Sequence, residues 1–418
     1  MADSITTIEE ESPQPTRSID KFKRVFRHRD FRLLWAGAFV SFSGSWIQTV
    51  AQQFLVYQMT GSYKLLGYVA AANMLPTTVL APFLGSVTDM FDRRKLLVIC
   101  QAVFAICALF LAAATYFQFI QYWHIIAVAI VTGTTGVIEI PARQSIISRV
   151  VPVEDLASAI PLNALTFNIA RPLGSAVGGV LLASLGVPAC YVVNGLTFAG
   201  LIFAGLAIKA DLSATAREPQ PIWDLLFEGF LYTFREPRLR ALLIAEGLVS
   251  IFGLFYMTQT AAIASDMVHR PKDLGLLLVA QGFGSILALV MVLSMSHLRI
   301  KGLLIRLSVA LIGALLIGLG FVNSLWSALP IYLLLGVCTV TIFNTVNTVF
   351  QTLAPDRLRG RVISMHNWAL GGLGFIGAIL LGNFASSFNL PLAIQCGGAV
   401  VLLTAAYLWI SRQTLEGV

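Results

Sequence analysis

Along this chain the apolar residues gather into runs of the length that crosses a bilayer, about 20 residues each. Short polar turns separate one run from the next. The runs predict an all-α membrane protein of twelve helices. They lie near 32–57, 65–88, 96–118, 124–147, 161–185, 189–209, 240–264, 274–296, 303–324, 328–352, 363–386 and 391–411. The polar residues inside the runs are not evenly spread. On the first predicted helix Ser41, Ser45, Gln48 and Gln52 recur at steps of four, three and four, which puts them on one stripe. The fourth carries Thr132, Thr135, Glu139 and Arg143, the seventh Glu246, Ser250 and Thr260, and the tenth Thr341, Asn344, Thr345, Thr348 and Gln351. The third, sixth, ninth and twelfth are poor in such groups. A single Ser or Thr in a membrane helix is commonly hydrogen-bond glue between helices, worth under about 1–2 kcal/mol. Polarity that returns every third helix instead predicts four helices around one hydrated cavity. Its expected lining is Ser41, Ser45, Gln48, Gln52, Thr135, Ser250, Thr341, Asn344 and Thr348.

Composition agrees with a lipid solvent. Of 418 residues 57% are apolar and 12% charged, against about 25% charged in ordinary soluble domains, and the mean hydropathy is +0.80. The net charge of +7 does not indicate a nucleic-acid partner, because the basic residues are scattered through the turns. They read as topology signals. With both termini in the cytoplasm, Lys64, Arg270 and Lys272 fall outside, Arg171 falls in the membrane, and the other 24 of the 28 Lys and Arg stay inside. The five cysteines (Cys100, Cys107, Cys190, Cys338, Cys396) sit in apolar runs and imply neither a zinc site nor a disulfide framework. No cleavable signal peptide is expected.

The two halves repeat. Arg32, Leu66, Gly67 and Arg93 return 208 residues later as Arg240, Leu274, Gly275 and Lys301, and Pro152 and Pro355 keep the order at a shifted offset. The expected organisation is a tail over 1–30, a six-helix half over 31–209, a linker over 210–238, a second half over 239–411 and a tail over 412–418. In the linker, "IWDLLFEGFLYTF" (222–234) reads as an amphipathic interfacial helix. Two parallel six-helix repeats place a site between them near mid-membrane.

Three charges fall within predicted spans: Glu139, Arg171 and Glu246. Each costs at least about 2.5–3.5 kcal/mol to insert, so each needs a partner or a purpose. Glu139 and Arg143 stand four apart with the acid first, the favourable order for an ion pair. That pair either pins the fourth helix or holds a proton-coupling carboxylate. Glu246 has no basic residue within a turn. It is a candidate for reversible protonation, or else an acid hydrogen-bonded to a neighbouring helix. Arg171 near the midplane is expected either to bind an anionic part of a substrate or to hold a glutamate ionised.

The turn "GSVTDMFDRRKLL" (85–97) resembles the signature loop between helices 2 and 3 of the major facilitator superfamily. Gly85, Asp89, Arg93 and Arg94 match it, while Met90 replaces an Arg and Asp92 a Gly. "RPLGSAVGG" (171–179) resembles the helix-5 signature of antiporters in that superfamily. Gly174, Gly178 and Gly179 match, and Ser175 stands where Pro is usual. Gly174 and Gly178 also form a close-packing face. Together with "GSWIQTVAQQFLVYQMTGS" and "APDRLRGRVISM", residues 30–411 resemble the third drug:proton antiporter group, which includes macrolide and siderophore exporters. The resemblance implies a cytoplasmic gate of Gly85, Asp89, Arg93 and Arg94. Asp89 would sit against the start of the eleventh helix, "RVISMHNW" (361–368), and the basic residues would hold the loop inside or pair with Glu154 or Asp155. Read without the resemblance, the loop is a topology anchor. The superfamily often has an Arg midway along helix 4. Here none precedes Arg143, so coupling would pass to Arg171, Glu139 or Glu246.

The expected function is a secondary active transporter that exports a small amphipathic compound of the drug or siderophore class by proton antiport with alternating access. It would be a monomer in the bacterial inner membrane, with both termini cytoplasmic. No cofactor, metal or nucleotide-binding loop is expected. An exporter of metal ions or another small solute is the rival function, and the five dispersed histidines (His28, His124, His269, His297, His366) weigh against the metal. A transport-inactive scaffold would not need the polar cavity stripe. A membrane enzyme would need a nucleophile–base spacing, and none appears.

Overall fold

A computed structural model describes residues 23–88, 91–213, 222–294, 300–355 and 357–410. The described residues are helical, with no strand among them. In chain order the main helices are α1 (Arg29–Thr60), α2 (Tyr63–Thr88), α3 (Arg93–Tyr116), α4 (Tyr122–Val150), α5 (Val153–Ala207), α6 (Ile222–Arg235), α7 (Pro237–Thr258), α8 (Leu274–Ser294), α9 (Lys301–Leu319), α10 (Leu325–Leu353), α11 (Arg359–Ser387) and α12 (Leu390–Ile410). Nine of them are long and apolar enough to cross a membrane, among the described residues. The Ser and Gln stripe lowers the hydropathy of α1 and keeps it out of that set.

Local chemistry sets several boundaries. Gly61 ends α1 in the left-handed conformation, φ 56°, which glycine adopts without the Cβ penalty. Asp92 caps α3 by accepting from the backbone N–H groups of Arg94 and Lys95 at 2.8 and 3.1 Å. The runs predicted at 161–185 and 189–209 join with no loop between them. Gly186 breaks α5 with φ 78° and ψ −176°, a conformation open to glycine. α5 also begins at Val153, after Pro152, earlier than the predicted 161.

Small residues set the closest helix contacts. A Cβ on Gly67 of α2 would run into the Ala378 carbonyl of α11. A Cβ on Gly275 of α8 would stand 2.8 Å from Gly179 Cα of α5. The glycine repeated 208 residues apart thus serves the same purpose twice, letting α2 approach α11 and α8 approach α5. Gly174 and Gly178 face α1 instead: Cβ atoms there would meet the Ser43 carbonyl and, at 3.0 Å, Ile47 Cα. α6 is held on the start of α11, where Glu228 pairs with Arg357 and Arg361. Large apolar side chains such as Ile106, Val180 and Leu403 are exposed on the outer helix faces, as a lipid solvent requires. Trp123 and Trp326 are exposed in the first turns of α4 and α10, where interfacial aromatic belts form.

Candidate functional site

Between α1, α2, α3, α4 and α5 lies a cavity of about 600 Å³, closed on one side by Met257 and Thr258 of α7 and Leu278 of α8. One wall is the α1 stripe of Ser41, Ser45, Gln48 and Gln52. The facing walls bring Asn73, Thr132, Glu139 and Asn194, and the aromatic side chains Phe42, Trp46, Phe104, Phe167 and Phe198. The amides are cross-linked: Asn194 Nδ2 donates to Gln48 Oε1 at 2.6 Å, and Gln48 Nε2 donates to Gln52 Oε1 at 3.4 Å.

Glu139 is the carboxylate of this wall. Its Oε1 accepts from Arg143 Nε at 2.9 Å and from Gln101 Nε2 at 3.3 Å. Gln101 Oε1 in turn accepts from Ser41 at 3.3 Å. Arg143 donates to Asn163 Oδ1 at 3.2 Å and lies 4.7 Å from the centre of the Phe42 ring. Glu139 therefore belongs to a network that joins α1, α3, α4 and α5.

Other predicted residues lie elsewhere. Thr135 donates to the Val131 carbonyl at 2.7 Å, and neighbouring Thr132 takes the cavity position. On α10, Thr341, Asn344 and Thr348 donate to the carbonyls of Val337, Val340 and Asn344 at 2.8, 2.9 and 2.9 Å, and they do not line the cavity. Such backward bonds are compatible with a water-facing position, since Ser45 and Thr132 make them from the cavity wall. Ser250 is buried and donates to the Leu370 carbonyl of α11 at 2.9 Å.

Glu246 is buried away from the cavity. Its partner is His366 of α11, with Nδ1 at 2.8 Å from Oε2, while Oε1 has no partner among the described residues. The expectation that it lacks a basic neighbour holds only along the sequence, since the imidazole comes from 120 residues later. Just beyond each member of the pair the helix loosens into a π turn, Val249–Gly253 on α7 and Trp368–Gly372 on α11. The Ser250–Leu370 hydrogen bond links the two turns. Gly372 O also accepts from Thr78 of α2 at 2.5 Å.

Of the expected gate, Asp89 lies outside the described residues and Gly85 stands near the end of α2. Arg93 donates to Ser145 Oγ at 2.9 Å and to the Ser213 carbonyl at 2.8 Å. Arg94 donates to the carbonyls of Ile208 and Ala210 at 2.7 and 3.2 Å. Asp155 pairs with Arg24 and His28 rather than with the loop. Those partners lie before α1, beside the fully buried Val25. At the other end of the bundle Asp266 accepts from Tyr57 and, at 2.6 Å, from Tyr63. Gln259 Nε2 donates to the Tyr63 carbonyl at 3.0 Å, and Tyr68 donates to Asn383 Oδ1 at 3.1 Å. Sequence reasoning passed over Gln101, Asn194, Asp266 and His366. Only Gln101 had left a signal, as the sole Gln in an otherwise apolar run.

A helical bundle with many apolar spans and a polar, aromatic-lined internal cavity defines a class, the membrane transporters. Within it, the family model for transmembrane secretion effectors matches residues 24–415, and the chain belongs to that family of the major facilitator superfamily. Its relatives are transporters rather than enzymes. It is similar to a staphyloferrin A transporter of Staphylococcus aureus, with 22% identity covering 91% of this chain and 96% of the relative. The multidrug efflux pump Tap of Mycolicibacterium fortuitum is 24% identical over 86% and 89% of the two chains. An enterobactin exporter of Shigella boydii is 24% identical over 93% and 94%. Among solved structures, a mutant of the nucleoside transporter NupG aligns with a TM-score of 0.75 at 14% identity, covering 93% of this chain and all of that one. An inward-facing, unoccupied bacterial homologue of the lysosomal transporter Spinster aligns with a TM-score of 0.68 at 14% identity, covering 97% of each chain.

Proposed function

We propose that this chain exports a small amphipathic organic compound, of the drug or siderophore class, across the bacterial inner membrane by alternating access coupled to proton entry. The observation that carries the reading is the cavity. Its volume of about 600 Å³ lies in the range of small-molecule sites, and its amide and aromatic lining suits a ligand with an apolar body and a few polar groups. The names of the siderophore and drug exporters it resembles support the same class. In this reading α5 supplies two spans, broken at Gly186, and α6 is a linker. Twelve spans then form two six-helix halves that meet along α2–α11 and α5–α8.

With both termini in the cytoplasm, the Tyr57, Tyr63 and Asp266 cluster closes the outer side and the state is inward-facing. The Asp89 loop would close the inner side in the alternate state. The proton-coupling candidates remain Glu139, Glu246 and Arg171. The test is proton flux in inverted membrane vesicles challenged with siderophores, macrolides and cationic dyes. A compound that is transported should collapse the imposed pH gradient, and Gln48→Ala should weaken that response. A panel in which no compound moves protons beyond the rate in vesicles lacking the protein would defeat the proposal.

A further inference from the structure

The two fates expected of Arg171 can now be told apart. Among the described residues it holds no glutamate ionised, because Glu139 is taken by Arg143 and Glu246 by His366. Its side chain is nonetheless buried, at 8% exposure. The guanidinium lies 4.8 Å from the centre of the Trp46 ring, Nη2 stands 3.9 Å from Met257 Sδ, and Nε has no partner. Two further buried polar atoms are unpartnered among the described residues: Ser175 Oγ, one turn along α5, and Oε1 of Gln53, whose Nε2 donates to the Met257 carbonyl at 3.2 Å. A thioether and a ring face compensate little of the cost of burying a cation, which ordinarily requires an anion and hydrogen bonds.

Both neighbours of the guanidinium, Trp46 and Met257, line the cavity, and Arg171 stands behind them, outside that lining. Methionine is the side chain best suited to swing aside, being unbranched and with three rotatable bonds. Arginine presents a planar fork that matches a carboxylate bidentately.

We propose that Arg171 is an anion subsite of the cavity, taking the carboxylate of an aromatic amphiphile whose apolar body lies against Trp46, Phe167 and Phe198. On binding, Met257 moves off Nη2, the carboxylate accepts from Nε and Nη2, and the charge of Arg171 is compensated for as long as substrate is present. The inference rests on the transporter reading and narrows its substrate class to monoanions with an aromatic face.

The test uses the full-length purified chain and two probes that differ in one charge, pyrenebutyrate and its methyl ester. Both accept energy from tryptophan, so binding is read as sensitised pyrene emission. The wild type is expected to bind the acid about tenfold more tightly than the ester, a modest value for a charge-assisted bidentate contact. Arg171→Gln should bring the acid and the ester to equal affinity, and Arg171→Lys should keep part of the preference. Equal affinities in the wild type overturn the subsite without any variant having to fold. A preference that survives Arg171→Gln overturns it too, and leaves the residue as a cation–π support for Trp46. If neither probe binds the wild type, the subsite falls while the transport reading stands or falls on its own proton-flux test.

Discussion

Glu139 and Glu246 are both almost wholly buried, at 4% and 0% exposure, each sits on a helix, and each has a basic partner. The partners differ in kind. Glu139 pairs with a guanidinium one turn further along its own helix and shares a hydrogen-bond network across four helices. Glu246 pairs with an imidazole on another helix and leaves one oxygen unpartnered. The guanidinium stands one turn along the same helix, so the pair on α4 is fixed by helix geometry. The imidazole stands on α11, so the Glu246 pair joins two helices where the Glu139 pair lies within one. The backbone differs as well, because π turns follow Glu246 and His366 whereas Ile140 to Val150 continue α4 as α-helix. π turns recur at functional sites, where a helix must accommodate more than one arrangement. One carboxylate therefore reads as framework for the cavity, the other as the switchable element.

The largest effect expected from this contrast is on stability. Arg143→Met leaves Glu139 buried without its cation and should cost about 3 kcal/mol, the lower end for a broken buried pair because the cavity admits water to that wall. Thermal unfolding in detergent measures it, and adding Glu139→Gln should recover most of the loss. His366→Gln should cost clearly less, since Glu246 can take up a proton and stay buried uncharged. Equal losses at the two sites would erase the distinction between a locked and a switchable pair.

The same contrast explains what was legible in the sequence. The Glu139–Arg143 pair could be read directly, because its partners are four residues apart and helical geometry alone brings them together. The α1 stripe was legible for the same reason. The Glu246–His366 pair was not, because nothing local relates residues 120 positions apart. On α10, Thr341 and Thr348 bond back to their own helix, as the cavity-lining Ser45 and Thr132 do, so periodicity finds a polar face without finding what that face meets. That the chain folds as long apolar helices was clear from hydropathy, whereas the loopless junction at Gly186 depends on one backbone conformation.

A smaller effect is expected on coupling. If the proposed proton coupling passes through Glu246, Glu246→Gln, which keeps the shape and loses the acid, should lower proton-driven export about tenfold, ~1.4 kcal/mol in the barrier, with substrate affinity within about twofold. Counterflow of labelled substrate, which needs no proton gradient, should persist. Glu139→Gln should instead lower cavity binding. If Glu246→Gln exports with the wild-type dependence on the proton gradient, the coupling role passes to Glu139 and the assignment of the two carboxylates is reversed.

The smallest effect concerns how the switchable pair reaches the rest of the molecule. Ser250 Oγ donates to Leu370 O, and two residues further along α11 Gly372 O accepts from Thr78 of α2. A change at Glu246 that reshapes the π turn of α7 would be felt at the turn of α11, and from there at α2. Ser250→Ala deletes the first link without adding bulk. The serine hydroxyl is buried and its loss removes one hydrogen bond to the Leu370 carbonyl, so the cost should be about 1 kcal/mol. If the link carries coupling, that energy should appear mainly as an export rate lowered about fivefold under a proton gradient, with counterflow and Tm nearly unchanged, and Ser250→Thr should restore it. A loss confined to Tm would make the bond ordinary glue between α7 and α11, and the two π turns would then move independently.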